Sequence, residues 1–282
     1  MLREILPRVY SSDMNNKSYV HRYSTSEALR LSDQAIALSR LLHHDSVFRP
    51  AGLVLEAGCG TGAQTVIVAP QNPTCSFVSV DVSQDYLAIA GERVAANQIR
   101  NVRFQTADVF NLPFSAGSFD HVFVCFLLEH VHDPAGALAS LKTVLKRGGT
   151  ITVIEGDHGS AYFHPRSAAA QATIQCLIDI QASMGGNSLI GRELYPLLVA
   201  AGFDDVTVSP RVVCADASRP DMVDGFTRKT FIAMVEGVRE QAIGLGLMTE
   251  SEWRRGIADL YRSADAMGTF NYTFFKATGK KA

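Results

Sequence analysis

The sequence predicts an α/β fold organised on a doubly wound, mostly parallel sheet. Short apolar runs alternate with amphipathic helical stretches from position 53 to 155. The connections between them are short, as right-handed strand–helix–strand units require. The first run, Leu53-Val54-Leu55, passes directly into Gly58, Gly60 and Gly62 and then into a helix. Strand, glycine turn and helix together make a ligand-binding plan, because glycines bring backbone close to a ligand and a helix start offers unpaired N–H groups.

The bulk properties narrow the function classes. A chain of 282 residues with 47% hydrophobic content has room for one large domain, or one domain plus a cap. The formal net charge is −2 and no basic block is present, so nothing favours nucleic acid as a partner. The five cysteines are scattered and form no C-x-x-C pair, which disfavours a metal site and suits reduced thiols in a cytoplasmic protein. No leader is visible at Met1 and no apolar run approaches the ~18 residues of a membrane span, so no membrane partner is expected.

In chain order, residues 1–24 read as a polar arm rich in Ser, Asp and Asn, interrupted by Tyr19, His21 and Tyr23. A helix follows from Ser24, with Ala28, Leu31, Ala35, Leu38, Leu41 and Leu42 on one face. The glycine turn then admits three ligand classes. A Walker A loop needs Lys-Ser/Thr after its last glycine, whereas Gly62 is followed by Ala63 and Gln64. A nicotinamide loop needs G-x-G-x-x-G, and here the third glycine comes one position early. Glu56 stands two residues before Gly58; a carboxylate there repels a pyrophosphate and attracts an ammonium group. Glu56, Gly58, Gly60 and Gly62 therefore suit a zwitterionic amino-acid tail, with Gln64 at the start of the following helix.

The stretch Leu55–Gly62 resembles motif I of the class I, Rossmann-like S-adenosylmethionine (SAM) methyltransferases, of the type acting on small molecules. The resemblance implies a seven-stranded sheet with an antiparallel last strand. It also implies SAM as cofactor, with S-adenosylhomocysteine as product. Further along the chain, strand Ser76–Val80 ends at Asp81, 23 positions past Gly58. An acid at that place reaches the ribose hydroxyls, and its acceptor-only oxygens suit both. Val82 is then placed to pack on adenine. After the strand Val102–Gln105, Asp108 and Val109 match the acid and backbone N–H that meet the adenine edge in this family; Asp108 could equally cap a turn.

The fourth strand, His121–Phe126, delivers Phe126 and the segment Leu127–Val131 to the place where the family's backbone lines the sulfonium. The Asn/Asp-Pro-Pro-Tyr/Phe motif of enzymes acting on adenine or glutamine is absent. A helix over Pro134–Leu145 closes with Lys146-Arg147-Gly148-Gly149, and Thr150–Glu155 reads as the fifth strand. The family usually has Pro where this chain has Arg147. The resemblance also gives Tyr23 a candidate role at the methionine end of the cofactor.

Past the fifth strand, residues 156–159 and 162–166 read as a polar, aromatic loop. Helices follow over 167–184 and 191–201, a sixth strand over Val206–Val213, helices over 218–245 and 250–267, and a last strand over Phe270–Lys276. The expected organisation is an arm and cap helix (1–45), a SAM-binding core (46–160), and a segment completing the sheet (161–282). The last segment carries a helical cap insertion at about 216–267. Such an insertion serves either as a cap or as a homodimer interface.

Methyl transfer demands positioning of the acceptor and, for a hydroxyl, removal of a proton. His158 and His130 are the candidate bases, and Glu155, His164, Arg166 and Arg192 the candidate acceptor contacts. Each could also be a polar wall or solvated loop residue. The leading expectation is methyl transfer to a small molecule at oxygen, hydroxyl or carboxylate. A SAM-binding protein without transfer, transfer to N, S or C, and a nicotinamide oxidoreductase are the competing readings.

Overall fold

The computed structural model describes residues 25–282. Tyr23 and the arm expected over residues 1–24 lie outside the described residues. Seven strands form one sheet: β1 Leu53–Ala57, β2 Ser76–Asp81, β3 Val102–Thr106, β4 Phe119–Cys125, β5 Leu145–His164, β6 Asp204–Ala215 and β7 Thr269–Lys280. Their order is β3-β2-β1-β4-β5-β7-β6. The first five are parallel, and β7 inserts antiparallel between β5 and β6.

The inner parallel strands carry apolar side chains on both faces and read as runs, whereas the edge strand β3 alternates with Arg103 and Gln105. Val54, Phe77 and Phe123 join one core layer with Leu38 and Leu42 of the first helix, α1 (Thr25–His43). Leu55, Val78 and Val122 join the opposite layer with Leu138 and Leu141. Each fully buried side chain of this size contributes about 1.5–3 kcal/mol.

Helix starts follow their capping residues. In α3 (Gln84–Ala96) the Ser83 hydroxyl accepts from Tyr86 N–H, and in α4 (Pro134–Val144) the Asp133 carboxylate accepts from Gly136 N–H, with Pro134 in the first turn. Between β1 and β2 lies the short α2 (Thr65–Gln71). Ser167 caps α5 (Ala168–Ser183) in the same way, and α6 (Leu194–Ala200) precedes β6.

The end of α1 is fixed to the sheet. Buried Lys276 of β7 donates to Asp45 Oδ1 (2.6 Å), Ser46 Oγ (2.9 Å) and the Leu42 carbonyl (3.2 Å). Buried His43 donates from Nε2 to the side-chain Oε1 of Gln64 (2.7 Å), so α1 is tied directly to the residue preceding α2. Burial pulls the His43 pKa down to about 4, which keeps the imidazole neutral.

Two expectations are corrected. Residues 156–164, expected as loop, continue β5 and pair with β7 through Phe163↔Phe270 and His164↔Thr269. Lys146–Gly149, expected to close α4, already belong to β5, because Leu145 is extended and ends the helix. The long β5 exists because β7 pairs with its residues 150–157 and 162–164, information absent from the local sequence.

Between β6 and β7 the chain is helical, as expected. It forms Pro220–Met222, a π-helix at Val223–Ile232, short helices at Ala233–Glu236 and Arg239–Gly244, and a longer helix at Glu250–Arg262. The π-helix packs against α1, and Glu250–Arg262 packs against α5. A capping box between Thr249 and Glu252 starts the latter.

Candidate active site

The carboxyl ends of β1, β2 and β4 meet around the glycine turn. Gly58 has φ +73°, and a Cβ there would stand 2.8 Å from Leu127 Cδ1, so both conformation and space require glycine. At Gly60, φ +52°, no atom lies within 4 Å of where a Cβ would stand, which leaves open space above the turn. Asp81, at the end of β2, grips this turn. Its Oδ2 accepts from Gly60 N–H and its Oδ1 from Ser83 N–H, both at 2.9 Å. Each oxygen keeps a further lone pair. Burial raises the Asp81 pKa, while the backbone N–H groups of Ser83 and Gly60 oppose the rise. Val82 beside it is 60% exposed, an apolar side chain held at the sheet edge.

Glu56 is buried beneath the turn. Its Oε2 accepts from Thr65 Oγ1 (2.8 Å) and Ser79 Oγ (2.5 Å). Burial pushes its pKa up to about 7, against the two hydroxyls, and the Asp81 charge adds to the rise. Gln64 has its side-chain Oε1 engaged by His43, so part of its polar capacity serves the α1 anchor. Asp108 is exposed and its Oδ1 accepts from Phe110 N–H (2.9 Å), an Asx turn that holds the loop; Val109 next to it is buried.

A second group of polar residues gathers where β4 and β5 leave the sheet. Phe126 has φ +58°, an unfavourable conformation for a non-glycine residue, held by its N–H to the Ile154 carbonyl. Glu155 is fully buried. Its Oε1 accepts from Leu127 N–H (3.0 Å) and Leu128 N–H (2.7 Å), while its Oε2 has no hydrogen-bond partner. Burial, then the neighbouring Glu129, pushes its pKa well above the carboxylate range.

His130 Nε2 lies 3.4 Å from Glu129 Oε1. His158 is buried, with Nδ1 2.8 Å from the Tyr272 hydroxyl. Burial lowers its pKa; Glu129 and Asp157 oppose that, while His130 and Arg30 reinforce it. Arg192 is a paired residue: its Nε and Nη2 donate to Asp157 Oδ2 and Oδ1 at 2.8 and 2.7 Å. His164 and Arg166 are exposed at the far end of the β5 extension.

The structure thus brings together Glu56, Gly58, Gly60, Asp81 and Val82 on one side, and Phe126, His130, Glu155 and His158 on the other. Sequence reasoning passed over Thr65, Ser79, Asp157 and Tyr272, and set Glu129 aside as a helix-surface group. For Tyr272 a signal exists: it shares the buried face of β7 with Phe270 and Phe274, where a hydroxyl demands a partner. Among the described residues, no group of three or more His, Cys, Asp or Glu side chains is arranged to hold a metal ion, and no helix is long and apolar enough to cross a membrane.

Comparison with known proteins agrees with this geometry. Residues 55–153 match the family model described as a methyltransferase domain. An uncharacterised 37.1 kDa protein in transposon TN4556 of Streptomyces fradiae is 32% identical over 234 residues, covering 82% of this chain and 65% of its own length. Demethylmenaquinone methyltransferase of Staphylococcus aureus (strain JH9) is 30% identical over 149 residues, covering 50% of this chain and 61% of its own. The chain therefore spans less than two thirds of either relative. The solved [4+2]-cyclase SpnF shares the fold, with a TM-score of 0.53 and 22% identity over 87% of this chain and 80% of its own.

The cofactor of such a domain is SAM, and the residues present fit it. The open space above Gly60 admits a ligand against the backbone, the Asp81 oxygens retain acceptor capacity, and Val82 offers an apolar surface beside them. Residues 55–153 thus resemble a methyltransferase domain, and the seven-stranded sheet around them has a Rossmann-like fold shared with SpnF.

Proposed function

We propose that the whole chain is a SAM-dependent methyltransferase acting on a small-molecule acceptor at oxygen, a hydroxyl or a carboxylate. The observation that carries the reading is His158: an imidazole kept neutral by burial, at the carboxyl edge of the sheet, among acidic side chains. A hydroxyl acceptor must lose a proton, and a neutral imidazole is the side chain suited to take it. When bound, SAM supplies a methyl group made electrophilic by the sulfonium, transferred by in-line displacement.

The chain's own residues divide the remaining work. Asp81 holds the ribose hydroxyls, Val82 covers one adenine face, and Asp108 with Val109 meets the adenine edge. Glu56 faces the ammonium group from beneath Gly58 and Gly60, with Gln64 at the helix start. The strained backbone at Phe126 lines the sulfonium side. His158 takes the acceptor's proton, with His130 as the alternative base, and Glu129 and Asp157 stabilise the imidazolium that results. Glu155, kept protonated by burial and with its Oε1 taken by two backbone N–H groups, donates from Oε2 to the acceptor. Arg192 acts through Asp157, and Arg166 and His164 stand at the entrance. The helical segment over 216–267 closes over the acceptor as a cap.

SpnF is a cyclase on the same fold, and fold alone does not decide between transfer and binding. The experiment is methyl transfer from labelled SAM to small phenols and carboxylic acids. Label is expected on oxygen, with His158→Gln lowering kcat by ~10²–10⁴ at unchanged KM for SAM. SAM binding with no label transferred to any acceptor would instead favour a binding protein, and label on nitrogen, sulfur or carbon would displace the oxygen reading.

A further inference from the structure

The register between β5 and β7 breaks at His158. Asp157 pairs with Thr273, yet the next paired residue, Tyr162, faces Asn271, so residues 158–161 bulge out opposite Tyr272. A bulge turns a side chain away from its ladder position, and bulges cluster next to active sites. This one is fastened at several points. His158 N–H donates to the Ser188 carbonyl (2.9 Å) instead of to β7. Ser160 Oγ donates to the Asp157 carbonyl (2.7 Å) and accepts from Thr273 N–H (2.8 Å).

The consequence is that the His158 ring meets the Tyr272 hydroxyl at 2.8 Å, both side chains being buried. The surroundings hold this contact in place. The Tyr272 hydroxyl occupies the space where a Cβ on residue 156 would stand, so only glycine fits there. Phe231, from the π-helix, places its ring 6.0 Å from His158 and 5.5 Å from Tyr272. Phe274 sits 4.7 Å from Tyr272 on the same strand face.

We infer that Tyr272 is a positioning residue whose oxygen accepts the Nδ1 proton of His158 and so leaves Nε2 as the basic nitrogen. The inference rests on the reading of His158 as the base. A neutral imidazole carries one proton, and the partner of one ring nitrogen decides which nitrogen keeps it. The reverse bond, Tyr272 O–H donating to Nδ1, would leave the proton on Nε2 and no basic nitrogen for the acceptor, so a His158 base requires the phenol oxygen to accept from Nδ1–H. The same logic gives a base–orienter pair in other nucleophile-activating sites. The charged groups set around the ring are Glu129, His130, Asp157 and Arg30.

The test is nitrogen NMR on the full chain labelled with 15N-histidine, with the His158 signals identified by their loss in His158→Gln. The expected spectrum at neutral pH has Nδ1 protonated and Nε2 bare. Tyr272→Phe keeps the ring in its aromatic surroundings and is expected to shift the equilibrium toward the Nε2–H form that free imidazole prefers, lowering kcat ~10-fold or more without changing KM for SAM. A bare Nδ1 in the unmodified chain, or a tautomer unmoved by Tyr272→Phe, would overturn the inference. Were the tautomer as expected but methyl transfer intact in His158→Gln, the base reading would fail, and with it the catalytic purpose of the contact.

Discussion

Asp81→Ala is expected to weaken SAM binding at least ~10-fold in a protein that remains folded. On the proposed reading two charge-assisted hydrogen bonds to the ribose hydroxyls disappear, each worth roughly 1.5–3 kcal/mol. The same carboxylate also ties Gly60 N–H and Ser83 N–H together, so the glycine turn loses its clamp when the side chain goes. Asp81→Asn separates the two contributions. Its carbonyl oxygen keeps one backbone bond, but its amide cannot accept, so the turn is partly held while a ribose contact is lost. Calorimetric titration of both variants gives the comparison. Affinity unchanged in folded Asp81→Ala would remove this residue from the site.

Glu56→Gln is expected to move binding and stability in opposite directions. With its pKa pushed up to about 7 by burial, Glu56 is largely protonated below neutrality in the free protein. An ammonium group beside it requires the carboxylate, so below pH 7 binding must first expel a proton, costing ~1.4 kcal/mol for each pH unit. SAM affinity should therefore rise ~5-fold from pH 6 to pH 7 and ~2-fold more by pH 8, levelling off above. In Glu56→Gln it should be weaker throughout and lack this rise.

The stability effect has the other sign. A carboxyl group whose pKa rises on folding favours the folded state at low pH, and that contribution is lost as pH rises from about 4.5 through about 7. A neutral Gln avoids the loss, and its carbonyl oxygen still accepts from Thr65 and Ser79. Urea titration at pH 8 without SAM should find the variant as stable as the parent or more so. Failure of Glu56→Gln to fold, or undiminished SAM affinity, would make Glu56 a purely structural residue.

The residues expected around the cofactor come together in the fold because they are close in sequence. Glu56, Gly58 and Gly60 share one strand and its turn, and Asp81 follows at the end of the neighbouring strand. Local hydrophobic runs, with Pro134 at a helix start, likewise announced the first four strands and the helices between them. The acceptor half was not legible in the same way. His158 and Tyr272 are 114 residues apart and meet only because β7 folds back between β5 and β6.

Nor could local pattern reveal that Gly156, Asp157 and His158 lie in a strand, since glycine and polar residues argue for a loop when the pairing strand is unknown. Arg192 looked available for a substrate anion, and its partner Asp157 is 35 residues away on β5. The π-helix at Val223–Ile232 read simply as helix, because its apolar spacing differs little from that of an α-helix over ten residues.

Calorimetric titration of the full chain with SAM, S-adenosylhomocysteine and NADH tests the central claim most directly. The account predicts saturable binding of SAM and of S-adenosylhomocysteine at one site, and no heat from NADH. Binding of NADH alone would contradict it, because Glu56 and the spacing of Gly58, Gly60 and Gly62 would then serve a pyrophosphate rather than an amino-acid tail.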